Sequence, residues 1–369
     1  ANRVTVTADP RIELMSLLVS RTRLGKLQQD DAAIAYRNAV AATFKAYDAH
    51  PAIKVLEELQ AQGFVGAKPY QFALLLKAPD MTLAGPLPPD LAPYTEKLTA
   101  LVMAMQGYMA ESRFLDFYAS QRALYTSISG KMTTLLKVDD VAGRVEEFYG
   151  TSWDRFTIIP APMLSRTALG MPVTHPDGSR EVLAIVGALG GTAQQEPDFY
   201  QPQRLFLWIE AAIGQAVVPA LTARHEQDIR DSEILFSPLA ERLGAHGVSN
   251  WSDAVDAHVL RAVGARMLQA RGKVREAQIE LQRHEREGYW YVRKFFDLLA
   301  AYQADRTAFP SLESYYPRMM ATLSFWKDAG EHQRIETAAK RFMGPIGAAT
   351  EERYLSKTVL VRPEPTDPE

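Results

Sequence analysis

The chain contains no cysteine in its 369 residues. That excludes disulfides, thiol chemistry and Cys-ligated zinc, but it does not fix the compartment. An excess of positive charge is also missing: Lys and Arg total 41 against 44 Asp and Glu, for a net charge of −3. Nucleic acid as the main partner would call for a basic surface. No apolar run reaches membrane-spanning length, because residues 205–221 are interrupted by Glu210 and Gln215.

Several catalytic signatures are absent too. Residues 187–191 (GALGG) are glycine-rich, yet no Gly-Lys-Ser/Thr follows and no Gly-x-Gly-x-x-Gly opens a helix. These glycines predict a tight turn. There is no Gly-x-Ser-x-Gly elbow. The two His-Glu pairs, at His225-Glu226 and His284-Glu285, are followed four residues after the histidine by Ile229 and Gly288. Neither can ligate a metal, so both pairs are expected on solvated helix surfaces.

What is present is the composition of a globular protein, long enough for one large or two medium domains. Residues 3–7 (RVTVT) alternate as a strand. Asp9-Pro10 predicts a helix N-cap and first turn, with the helix body over 11–22. Further helices are expected over 32–49 and 52–62, the last stopped by Gly63. His50, just before Pro51, is expected to cap or to lie at the surface. Residues 86–93 (PLPPDLAP) form a loop. A long aromatic-rich helix is expected over 94–127, and a short one over 138–149 ends at Gly150. Residues 155–160 (RFTIIP) and 181–186 (EVLAIV) read as strands, with a turn at His175-Pro176-Asp177-Gly178. Charged, partly helical chain follows at 223–240. Asn250 or Ser252 caps a helix running to 269, and 272–286 is a charged, solvated helix. Apolar and aromatic stretches follow at 289–302 and 309–326, and residues 363–369 form a polar, proline-rich tail.

This order gives an α+β, helix-predominant protein with a small antiparallel sheet beside a buried helix. The expected regions are a mainly helical 1–150, a sheet with its buried helix over 151–222, a helical 223–355, and a polar tail over 356–369.

The buried helix is residues 203–221 (QRLFLWIEAAIGQAVVPAL). Its only acid is Glu210. A helix this apolar is buried, and a carboxylate within it must be paired, hydrogen-bonded or protonated. His258 and Arg261 stand three apart on one helix, hence on one face. Glu210, His258 and Arg261 together form the candidate binding set. They make either a satisfied polar cluster or a site for an anion or peptide.

Several stretches, in this order, resemble the bacterial DUF4932 family. They are DPRIELMSLL (9–18), HPAI (50–53), Gly63-Phe64, FYG (148–150) and the glycine loop before the buried helix. NWSDAVDAHVLRA (250–262) and FPSLESYYPRM (309–319) complete the set. The likeness runs from near the N-terminus to about Phe325. Members of this family have no established function and are thought to be gluzincin-type zinc metallopeptidases, so the resemblance implies a metallopeptidase-like scaffold.

Its pattern in the buried helix is His-Glu-x-x-His, then an apolar stretch ending in proline. Aligned on Glu210, the histidine positions are Ile209 and Ile213; aligned on Pro219, they are Glu210 and Gly214. The third ligand, a glutamate, falls at Ala257. Asp256 is adjacent but turned about 100° away on a helix. Zinc needs His, Cys or carboxylate donors, and without zinc Glu210 has no metal-bound water to activate.

The resemblance thus implies a pseudo-metallopeptidase with no catalytic residue, no metal and no cofactor. It would be a peptide- or protein-binding or scaffold protein. The start at Ala1, followed by Asn2 and Arg3, fits a mature exported chain, periplasmic or secreted. The rival reading is a metal-independent hydrolase using a cleft around Glu210 and His258.

Overall fold

The structure, a computed structural model, describes residues 3–27, 33–164, 167–191, 196–244 and 246–342. The chain divides into two compact units. The first is Ala1–Ala220 with Pro310–Leu312, and the second is Leu221–Phe309 with Glu313–Glu369. The expected polar tail lies outside the described residues.

The first unit opens with β1 (Val4–Val6), followed by α1 (Pro10–Arg21), α2 (Arg23–Leu27), α3 (Ile34–Phe44), α4 (Pro51–Ala61) and α5 (Lys68–Leu74). A short ribbon, β2 (Leu76–Lys77) and β3 (Thr82–Leu83), precedes α6 (Thr95–Ser112), α7 (Phe114–Ser120), α8 (Arg122–Val138) and α9 (Val141–Tyr149). The main strands are β4 (Arg155–Ala161), β5 (Ala168–Thr174) and β6 (Arg180–Gly187). They lead into α10 (Pro202–Gln215) and α11 (Val218–Ala223), which carries the chain across the unit boundary.

Local chemistry sets several boundaries. The Asp9 side chain accepts from Arg11 N at 2.9 Å, with Pro10 opening α1. His50 caps α4, its Nδ1 accepting from Ala52 N at 3.1 Å. Gly150 ends α9 in the left-handed region, φ +65°, where a Cβ would also strike the Pro310 carbonyl. The single helix expected over 94–127 is instead three. Arg113, at φ +54°, closes α6 and turns the chain, so that Phe114 buries completely against Phe44, 6.2 Å between centroids. Aromatic burial outweighs the strain of one non-glycine residue in that region.

The sheet is mixed, ordered β1-β4-β6-β5, rather than antiparallel as expected. β4 runs parallel to β1 and to β6; only β5 and β6 are antiparallel. The turn at His175–Gly178 joins β5 to β6 and not the two strands legible in the sequence. β5 escapes sequence reading because Gly170 and Pro172 are depleted in strands.

Helix α10 lies on β5 and β6. A Cβ on Gly170 would come within 1.5 Å of the Ala212 carbonyl oxygen, so only glycine permits this approach. At the end of the helix, Gln215 acts as a fragment of an additional strand. Its Oε1 accepts from Gly170 N at 3.0 Å, and its Nε2 donates to Ala168 O at 3.1 Å. Pro172, two residues on, offers no N–H. Part of the outer edge of β5 is thereby occupied.

The helix expected over 203–221 is interrupted after Gln215. Pro219 cannot donate to the Gln215 carbonyl, and Ala216 and Val217 bond three residues back instead. Taken together, Pro202–Ala223 reach the length and mean hydropathy, 1.6, of a membrane span, but 56% of that window is buried within the protein.

The second unit contains α12 (Glu226–Asp231), α13 (Ala240–Gly244), α14 (Trp251–Ala270), α15 (Val274–Glu287), α16 (Val292–Ala304), α17 (Leu312–Asp328, whose first residue belongs to the first unit) and α18 (Glu331–Phe342). Asn250 caps α14, accepting from Asp253 N at 2.9 Å. Helices α15 and α16 pack on α14. α15 is not simply solvated: its apolar stripe buries Ala277, Leu281 and His284.

Gly170→Ala is expected to destabilise the protein by about 2–3 kcal/mol through overpacking. Gln215→Ala, which removes two hydrogen bonds, is expected to cost about 1–3 kcal/mol. Urea unfolding of both variants measures these losses.

Candidate functional site

The apolar stripe of α10 that meets the sheet includes Leu205, Ile209, Ala212 and Ile213, all buried. Ile209 and Ile213 line a void of about 20 Å³ with Val4, Phe156, Ile158 and Val141. Glu210, 1% exposed, leaves this stripe toward α9. There Arg144 Nη2 meets its Oε1 at 3.3 Å. Arg144 also pairs with Asp139, so one guanidinium lies between two carboxylates. Helix α9 is positioned for this by its own cap, Asp140, which accepts from Gly143 N at 2.9 Å. Glu210 is thus a buried acid with a guanidinium beside it. Sequence reading required Glu210 to be paired, hydrogen-bonded or protonated and grouped it with His258 and Arg261; Arg144 was not among the residues set beside it.

His258 and Arg261 belong to the second unit, on α14, and share Tyr289 as a neighbour. The Arg261 guanidinium lies 3.5 Å from the Tyr289 ring centroid, and its Nη1 donates to Ala257 O at 3.0 Å. The His258 ring packs against Tyr289, Tyr291 and Phe295. Its Nδ1 lies 2.5 Å from Ala254 O, which can only accept, so Nδ1 carries the proton. Nε2 has no partner among the described residues. Burial, with the charges of Arg261 and His284 adding to it, pushes this imidazole down to about 3. It is neutral at physiological pH.

His284 of α15 belongs to the same cluster and is buried rather than solvated. Burial alone would raise the Glu287 carboxyl. The His284 hydrogen bond at 3.1 Å and the Arg283 charge hold it instead at about 2. The structure therefore brings together two of the three candidate residues, His258 and Arg261, in the second unit. Glu210 lies in the first with Arg144.

Two further clusters were not legible in the sequence. In the second unit, Thr222 Oγ1 donates to Asp256 Oδ1, and Tyr316 OH lies 2.6 Å from the same hydroxyl. With the Thr222 proton committed to the carboxylate, Tyr316 donates to Thr222. Burial pushes the Asp256 carboxyl up to about 7; the Thr222 bond opposes this and the Asp253 charge reinforces it. The adjacent Ala257 contributes only its backbone carbonyl, to Arg261. Asp256 stands in a mixed stretch, DAVDAHV, whose periodicity gives no sign that one of its two acids is buried.

On the sheet, Glu181 Oε1 accepts from Thr157 Oγ1 at 2.5 Å, and Oε2 lies 2.6 Å from His175 Nε2. This is not an activated hydroxyl. A nucleophile requires the imidazole between hydroxyl and acid, whereas here the carboxylate separates them. Among the described residues, no three His, Cys, Asp or Glu side chains are grouped to hold a metal ion.

Removing Arg144 takes a charged partner from the buried Glu210 carboxyl. Arg144→Met is expected to cost about 3 kcal/mol, Glu210→Leu less, and the double variant about as much as Glu210→Leu alone. A double-mutant cycle by chemical denaturation reads the coupling. The Asp256 carboxyl, raised from its ordinary 3.8, binds its proton more tightly in the folded state. Its contribution to stability is therefore present at low pH and lost as pH rises through about 7. Asp256→Asn is expected to flatten that part of the pH–Tm profile, as calorimetry would show.

No curated protein and no solved structure matches the chain. The model of a domain of unknown function, DUF4932, matches residues 4–322, which takes in the sheet, the buried helix with Glu210 and the His258 cluster. With most of its length covered by that model, the chain belongs to the DUF4932 family.

Proposed function

We propose that this protein is a non-catalytic, pseudo-metallopeptidase member of its family that binds peptide or protein segments, or holds them as a scaffold, outside the cytoplasm. The observation that carries the reading is the environment of Glu210. Aligned on Glu210, the histidine positions of a His-Glu-x-x-His motif are Ile209 and Ile213, which offer no lone pair to a metal and are buried, lining a small void with apolar side chains and Asp140. The glutamate itself is matched to Arg144. A carboxylate neutralised by a guanidinium is a poor general base, because the cation favours its charged form. The same surroundings weigh against the rival hydrolase. Glu210 and His258 are 1% and 0% exposed, out of reach of a substrate as they stand.

The peptide-binding half of the proposal comes from the family frame, which persists without the donors. Export belongs to the same reading and is checked by fractionating cells that express the full gene.

The deciding measurement is zinc content with melting temperature, taken with added zinc and with chelator. The expected result is no stoichiometric zinc and no shift in either direction. Bound zinc with marked stabilisation, or peptide hydrolysis abolished by Glu210→Ala, would overturn the proposal. A peptide array probed with the purified chain tests the binding half.

A further inference from the structure

The first unit holds a buried acid that the proposed function leaves unused. Glu13 is the only acid in the body of α1 and is 3% exposed. Its Oε1 lies 2.6 Å from Tyr36 OH on α3, and Tyr36 OH lies 2.6 Å from Tyr125 OH on α8. The tyrosine rings meet edge to face, with centroids 6.5 Å apart. One carboxyl and two phenols thus form a continuous chain across three helices, all three side chains being at most 6% exposed.

We propose that the Glu13–Tyr36–Tyr125 cluster is a proton-sensing joint, which holds α1, α3 and α8 together while Glu13 carries its proton and loosens them when the carboxyl ionises.

The argument rests on which groups face Glu13. Two phenols point at it, Tyr36 directly and Tyr125 behind it. Tyr70 of α5 and Tyr118 of α7 complete a ring of neutral hydroxyl groups, each held further from ionisation by burial. The cation that acts on Glu13 is Arg37 of α3, through space only. Arg37 directs Nε to Pro162 O at 3.3 Å and Nη2 to Leu164 O at 2.7 Å. Asp9, before α1, adds negative charge beside Tyr118. Among the described residues, α2, α4 and β4, which also pack on α1, contribute no charge that acts on Glu13. This contrasts with Glu210, which has a guanidinium in contact. A buried carboxylate with phenol donors alone is costly, and a carboxylic acid there is not. Burial accordingly raises the Glu13 carboxyl to about 7, against the opposing Tyr36 bond, Arg37 charge and Tyr125 bond.

The sign follows from linkage. The folded state binds the proton more tightly than the unfolded chain, whose ordinary value is 4.5. The contribution to stability is complete below that value. It declines as pH rises and is lost above about 7. The full shift corresponds to a fall of about 300-fold in the local closing constant.

The test uses the full chain with carboxyl-labelled glutamate, followed by carbon NMR. The label leaves Asp256 silent, so the other carboxyl raised to about 7 does not interfere. One glutamate is expected to titrate near neutrality. Hydrogen exchange in α1, α3 and α8, corrected for its intrinsic pH dependence, is expected to quicken from about pH 4.5 to about pH 7 and to level off above that. Glu13→Gln keeps the acceptor, cannot ionise, and is expected to abolish that dependence. No glutamate titrating above the ordinary range, or an unchanged dependence in Glu13→Gln, would overturn the proposal. Should that variant fail to fold, the wild-type titration decides alone.

Discussion

The placement of Glu210 and its neighbours in the first unit depends on how closely α10 approaches the sheet. Gly170 permits the contact, and Gln215 secures it by bonding the backbone of β5. From that fixed position the helix directs Ile209 and Ile213 into the apolar layer beneath it. Glu210, one step round, is turned toward α9 and Arg144. A side chain in place of the Gly170 hydrogen would displace the helix and all three residues together. The region around Glu210 is therefore an integral part of the core, not a feature laid upon it.

Charge inside this protein is handled in two ways. Glu210 has a guanidinium beside it, and Glu287 is held low by its His284 and Arg283 partners against burial. Glu13 and Asp256 face only hydroxyl groups, whose hydrogen bonds favour the charged form too weakly to offset burial, so both carboxyls are raised. His258, enclosed by aromatic rings with one nitrogen bonded to a carbonyl, is kept neutral by the same low polarity that raises the two acids. Hydroxyl partners leave an acid able to titrate near neutrality, whereas salt partners do not.

Much of the fold was legible because its signals are local. The Asp9 cap, the Gly150 stop, the His50 cap and the two hydrophobic strands each follow from a few neighbouring residues. What escaped depends on residues distant in sequence. The parallel pairing of β4 and β6 cannot be read from two similar hydrophobic runs, and β5 hides behind Gly170 and Pro172, whose roles exist only against α10. The candidate site divides in the same manner. Sequence reading found that Glu210 needs a partner and that His258 and Arg261 share a face. Arg144 lies 66 positions from Glu210, and no periodicity connects them. Glu13 carried the one available hint, an acid inside the apolar run IELMSLLV.

The Gln215 contact carries a consequence for the ageing of the molecule. Its amide nitrogen faces the Ala168 carbonyl, so spontaneous deamidation to glutamate would set two oxygens against each other across a former hydrogen bond. The cover over β5 would be repelled by the strand it protects. A freed strand edge is a template for pairing with another chain. An acid at position 215 would thus weaken the hold of α10 on β5.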